Sequence, residues 1–297
     1  MVTLDAARLA RLTGSDTSAV LPALQGMSVE QLEHEEFLRS VVTFLQEGDA
    51  QLAHLAAYKL REAAWHAIDI SHALPALEAA ALTDDRIPAH LAEFKNAWHR
   101  ISTIANQAVA TFHLKSGHEL ELRTMLAQPG WPGTCALASL QSATESQLEI
   151  YLPLLHTLLS TDEAVPSDPR LSKQPLAAMA LARHHLRRQD WTKLGELISH
   201  PSEHARKGAL RVLDDAAEDG QPIEPILPAI LSIFERTDAA SVAARIDAAY
   251  VLQWFVLRQN KRPKTLILDG VDLLKIPEIR AALAEVRRLG RKVRGDR

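Results

Sequence analysis

The sequence contains a single cysteine, Cys135, in 297 residues. An internal disulfide is therefore excluded, and the composition fits a reducing compartment. Aromatic residues make up only 5%. That argues against a β-sandwich, whose strands draw on β-branched and aromatic side chains. Long apolar runs are missing too. No stretch approaches the roughly 18 residues a spanning helix needs. Nor does an apolar run of signal-peptide length follow residues 1–12, which Asp5, Arg8 and Arg11 interrupt. These absences lead to the expectation of a soluble, cytoplasmic protein with no membrane association. Glycines number 12 and fall mostly at helix ends. No glycine loop of the phosphate-cradling type and no serine elbow of the hydrolase type occurs.

Alanine and leucine dominate the 47% of hydrophobic residues, which favours closely packed helices. The most informative stretch is 190–258. A short helix over Asp190–Ile198 turns at His200-Pro201-Ser202 and resumes as a second helix from Glu203 through Leu213. After a break at Gly220-Gln221-Pro222 the plan recurs. Leu227–Phe234 forms a first helix, Thr237-Asp238 a turn, and Arg245–Leu252 part of a second helix. Arg206 and Arg245 occupy matching places 39 residues apart. Two-helix units with a period of about 40 residues mark an α-solenoid.

Upstream, residues 1–13 read as a short helix, and Thr17 or Ser18 opens a second that ends near Gly26. Ser28 and Gln31 have the spacing of a capping box for a helix reaching about Glu47. Gly48-Asp49 turns the chain into a partner helix over 50–67. A further first helix spans 71–82 and turns at Asp84-Asp85. One long helix is expected from Pro88 to Lys115, a short one over 119–127, a tight turn over 129–133 and a small helix over 134–143. Residues 145–159 form another helix. The polar, proline-rich stretch 161–175 reads as the one long loop, followed by a helix over 176–188. Beyond a basic linker at 261–264, residues 265–276 read as strand-like or irregular, and 277–294 as a final helix. These segments group as an N-terminal cap (1–27), two repeat blocks (28–162 and 163–260) and a basic C-terminal cap and tail (261–297).

The paired helices resemble HEAT repeats. The likeness rests on Leu227-Pro228, Asp238 and Arg245, and on Leu194, Glu203 and Arg206. Leu74-Pro75 with Asp84 and Leu152-Pro153 with Asp162 match in the first helix alone. The resemblance implies an all-α fold, a right-handed α-α superhelix of about six helical pairs with second helices lining a concave face. It also implies structural roles for Arg206 and Arg245, each bonding to an acid of a neighbouring repeat. It implies no activity, because such scaffolds host many.

Charge is unevenly spread. Residues 258–297 hold 12 Lys and Arg against five acids, +7, which leaves −11 for the first 257. Arg183, Arg187, Arg188, Lys207 and Arg211 lie on successive second helices. Tyr250, Trp254 and Arg258 share one side of the last one with Asp247. Together these eight basic and aromatic residues are the expected partner-binding set on the concave face. A protein partner is the first expectation. Nucleic acid bound through the basic C-terminal region is the second, since some HEAT-like DNA glycosylases excise alkylated bases with aromatic and acidic side chains. An enzyme or lyase working in a solenoid groove is a third.

No catalytic residue, metal or cofactor is expected. His34-Glu35 and His118-Glu119 are two pairs where the di-iron helical-repeat hydroxylases use about four. His184 and His185 are adjacent and are expected on different faces. His200 and His204 have i, i+4 spacing, but His200 lies in a turn. Cys135 has no neighbouring base and reads as a small buried residue.

Overall fold

The computed structural model describes residues 5–13, 17–92, 99–160, 173–235, 241–258, 267–268 and 271–272, with five single positions between 275 and 284. Among them the chain is helical, apart from one antiparallel ladder of two-residue strands, β1 (Ile267–Leu268) and β2 (Val271–Asp272). No helix of the described residues is long and apolar enough to cross a membrane. The chain divides into two compact units, Met1–Gln147 and Leu148–Arg297.

The first unit opens with α1 (Ala6–Thr13) and α2 (Thr17–Gln25). The Ser28–Gln31 box forms, the Ser28 N–H donating to Gln31 Oε1 at 3.0 Å. It closes a single 3-10 turn over Val29–Glu33, however, and not the helix expected to run from there. His34 leaves helical geometry (φ −88°, ψ 125°), so α3 (Glu35–Glu47) starts after it. Asp49 Oδ1 accepts from the N–H groups of Gln51 and Leu52, both at 2.9 Å, and so caps α4 (Ala50–Trp65). A cap of this kind stabilises a helix by about 1 kcal/mol. A 3-10 turn then leads into α5 (Leu74–Thr83), with Pro75 in its first turn.

The single long helix expected over 88–115 does not form. A four-residue helix, α6 (Ala89–Ala92), is followed by α7 (Ile101–Ser116), and residues 93–98 lie outside the described set. The preceding turn folds back to start α7: Asp84 O accepts from Ser102 N at 2.7 Å and Arg86 O from Ile101 N at 3.2 Å. A continuous helix would forfeit both bonds. The unit closes with α8 (Glu119–Ala127) and α9 (Trp131–Ser139). The turn expected over 129–133 is shorter than its composition suggests. Gly130 bends the chain at φ 71°, and Pro132 already sits in the first turn of α9, where its missing N–H costs nothing.

The helices form two layers. In one, α4, α7 and α9 pack side by side, with α3, α5 and α8 paired against them from the other. Phe37, Leu38, Val41 and Leu45 fill the seam from α3, and Ile101, Ile104, Ala105, Ala108 and Val109 from α7. Leu60 and the alanines of α4 (Ala53, Ala56, Ala57, Ala63, Ala64) let the helices approach closely. Each buried leucine or phenylalanine contributes roughly 1.5–3 kcal/mol.

The second unit takes up the chain within α10 (Glu145–Ser160) and continues with α11 (Lys173–Arg187), α12 (Trp191–Ile198), α13 (Glu203–Glu218), α14 (Leu227–Ser232) and α15 (Ser241–Arg258). The expected loop over 161–175 lies outside the described residues up to 172. Lys173, Gln174 and Pro175 belong to the first turn of α11, three residues earlier than its apolar pattern begins. Asp162 and Asp238 also lie outside the described residues, as does nearly all of the basic tail. The isolated described positions 277, 280, 281 and 284 are helical.

Here α11, α13 and α15 form one layer, with α12 and α14 on the other side. Asp190 caps α12 and Ser202 caps α13. Arg206 is buried, with 4% exposure. Among the described residues its partners are backbone carbonyls, where the family resemblance implied an acid of a neighbouring repeat. Nη1 donates to the carbonyl oxygens of His200 and Pro201, both at 2.8 Å, and ties down the turn before its own helix. Arg245 is half-buried on α15.

Candidate functional site

The α11–α13 seam is tightest at Gly208. A Cβ there would meet the Pro175 carbonyl oxygen at 2.1 Å and the Ala178 Cβ at 2.9 Å. Beside this seam a groove of about 460 Å³ opens across α11, α13 and α15. Leu210 and Gly208 are buried in its floor, with Pro175 and Met179 half-buried beside them. Exposed Lys207, Arg211 and Tyr250 stand at its edge.

Two carboxylates line the same groove. Burial pushes Asp214 up to about 6, with Arg211 opposing and Asp215, Glu218 and Asp247 adding to the rise. Burial raises Asp247 too, against the pull of Lys207 and Arg211. Asp214 Oδ1 and Asp247 Oδ2 are shielded from solvent and accept no hydrogen bond among the described residues. Arg211 is turned to Asp215 (Nε to Oδ1, 3.6 Å). Lys207 makes no ion pair with any described carboxylate. The groove therefore offers an apolar floor, one unpaired ammonium and two underused carboxylates. His204 lines it as well, on the same helix as Lys207, Arg211 and Asp214.

Of the eight residues expected at a partner-binding face, Lys207, Arg211 and Tyr250 come together here. Arg183 and Arg187 line an adjoining groove of about 410 Å³, where Arg183 Nη2 lies 3.5 Å from Asp215 Oδ2. Asp215 thus sits between Arg183 and Arg211. Arg188 is occupied by Glu149, Nη2 to Oε1 at 2.7 Å. Trp254 is half-buried on α15 and lines neither groove, and the side chain of Arg258 lies outside the described set.

The sequence reading missed Asp214. The signal was present: His204, Lys207, Arg211 and Asp214 recur at i, i+3, i+7 and i+10 and so share one face of α13. It also missed a groove of about 420 Å³ in the first unit, between α4, α7 and α9. There the Arg61 guanidinium lies 4.4 Å from the centre of the Tyr58 ring and donates to Gln107 Oε1 at 2.7 Å. Lys115 Nζ lies 5.7 Å from the centre of the Trp65 ring.

The histidine and cysteine candidates resolve otherwise. Among the described residues no group of three His, Cys, Asp or Glu is placed to hold a metal ion. His118 faces His113, Nδ1 to Nδ1 at 3.3 Å, and Glu119 accepts from Arg123 at 2.8 Å. The His184 and His185 rings are both buried, edge to face, with centres 5.2 Å apart. Cys135 is buried with its Sγ 3.6 Å from Thr103 O, and desolvation pushes its thiol up, away from the thiolate a nucleophile needs.

Compared with known proteins, the chain matches no protein-family model and no curated protein sequence.

Proposed function

We propose that this protein is a non-catalytic helical-repeat scaffold that binds a protein partner on the open face of its second helices, as an adaptor, a regulator or a toxin-neutralising protein. In this reading each unit is a stretch of right-handed α-α superhelix of the HEAT-like kind, and the layers α4, α7, α9 and α11, α13, α15 are its inner faces. The observation that carries the reading is the groove at Lys207, Arg211 and Tyr250. Its apolar floor and unpaired polar groups are those of an interface core, where Tyr and Arg are enriched. The nucleic-acid reading, including base excision, is less well supported. Two carboxylates share the groove with the cations, and a phosphate backbone gains affinity by neutralisation with Lys and Arg.

The test is site-specific photo-crosslinking in cells that make the protein, with a benzophenone amino acid at position 250 or 207. One stoichiometric protein adduct is expected, lost in the Lys207→Glu/Arg211→Glu variant. Absence of a protein adduct would refute the proposal. So would nucleic acid retained at about 50 mM salt and released steeply as ionic strength rises.

A further inference from the structure

Tyr58 and Trp65 are large aromatic side chains with 43% and 53% exposure, seven residues apart on α4 and therefore on one side of it. Both line the groove of the first unit. Each ring has a cation over it: Arg61 between them on α4, and Lys115 from α7. Neither cation has a carboxylate partner among the described residues. Arg61 donates to Gln107, and Lys115 reaches only the Ser142 carbonyl oxygen, at 3.3 Å. Glu62 also lines the groove, but its carboxylate is engaged by Lys59 at 3.3 Å. Two positive charges are thus left over beside two exposed rings.

We infer that this groove is a docking site for a partner segment carrying one or two carboxylates next to an aromatic or branched apolar side chain. The guanidinium and the ammonium would take the carboxylates in charge-assisted hydrogen bonds, and Tyr58 and Trp65 would cover the apolar neighbour. The rings already hold their cations in place, so little side-chain freedom remains to be lost on binding. Charge selects the occupant. Two cations suffice for a short acidic segment, whereas a phosphate strand draws its affinity from a longer row of Lys and Arg contacts. This inference rests on the first unit alone and does not depend on the groove at Lys207.

The experiment selects a phage-displayed random dodecapeptide library on the immobilised full chain. Enriched clones are expected to carry Asp or Glu beside Phe, Trp, Leu or Ile. A synthetic copy of the best clone, read by fluorescence anisotropy, should bind at least about tenfold more weakly when its acids become Asn and Gln. A loss of about tenfold is expected for Arg61→Ala, Lys115→Ala and Trp65→Ala, with unfolding midpoints checked against the parent because Arg61 and Lys115 are half-buried. Lys207→Ala and Tyr250→Ala should leave this binding unchanged. The inference is overturned if no clone is enriched, if enriched clones lack acids, or if the Arg61 and Lys115 variants bind them equally. It is also overturned if the Lys207 or Tyr250 variants abolish binding. An oligothymidylate that binds as tightly and is lost in the same variants would assign the groove to nucleic acid instead.

Discussion

Gly208 presses its backbone against the carbonyl oxygen of Pro175, so that the position a β-carbon would take lies 2.1 Å from that oxygen. Helix α13 can approach α11 only because this residue has no side chain. The obstruction is backbone, which no rotamer change relieves. Gly208→Ala should therefore destabilise the protein by about 3 kcal/mol, at the upper end for overpacking, despite the better helix propensity of alanine. Chemical denaturation measures it. An unchanged or raised midpoint would mean the seam opens at no cost.

Arg206 holds the turn ahead of its own helix through two carbonyl oxygens. Truncation leaves those oxygens without their donor, and hydrogen bonds from a charged donor are worth about 1.5–3 kcal/mol. Arg206→Ala is expected to cost about 3 kcal/mol. Substituting acids of the neighbouring helices should do nothing comparable, which separates the observed contact from the one the repeat family suggested.

Asp214 has its pKa raised from 3.8 to about 6 in the folded state. Between those values the folded chain holds a proton that the unfolded chain has released, so stability falls as pH rises through about 4 to 6. The penalty is complete above that window. Asp214→Asn should raise the melting midpoint at pH 7.5 by about 2 °C, with the gain shrinking to nothing near pH 4. A gain that grows on acidification would contradict the burial of this carboxyl.

His185 has the opposite sign. Burial first, then His184, lower it from 6.5 to about 4. The unfolded state takes up a proton in that window and the folded state does not, so stability is lost as pH falls from about 6.5 to 4. His54 behaves alike, also lowered to about 4 by burial. His185→Gln should flatten the acid limb of the melting curve, read by calorimetry between pH 4 and 7.

Cys135 is expected to resist thiol reagents. With its thiol buried and its pKa raised, labelling by iodoacetamide at pH 8 should run at least about a hundredfold slower in the native protein than in denaturant. Labelling at the denatured rate would place the side chain at the surface.

Much of this fold was legible in the sequence. The helices over 191–198, 203–218 and 119–127 follow from apolar spacing and from caps such as Asp190 and Ser202. The misreadings share a cause: long-range bonds overrule local pattern. The run from Pro88 to Lys115 looks continuous, but Asp84 and Arg86 accept from the start of α7 and fix its beginning. The Ser28–Gln31 box is real, yet it serves one 3-10 turn. Of the grooves, Lys207, Arg211 and Tyr250 were visible as charge and aromaticity on second helices. Tyr58, Arg61 and Trp65 were not, because on α4 they sit among alanines and leucines. Only the packing shows which side of that helix is left uncovered.

The side chains at the groove edges stand apart from the seams that hold the helices together. Lys207, Arg211 and Tyr250 project from α13 and α15, while Ala205, Ala209, Val212 and Ala248 carry the packing on the same helices. Under the proposed function, recognition and folding are thus written at different positions of the same helices. A scaffold of that kind could exchange one binding target for another by altering outward residues alone, without first having to re-evolve a core.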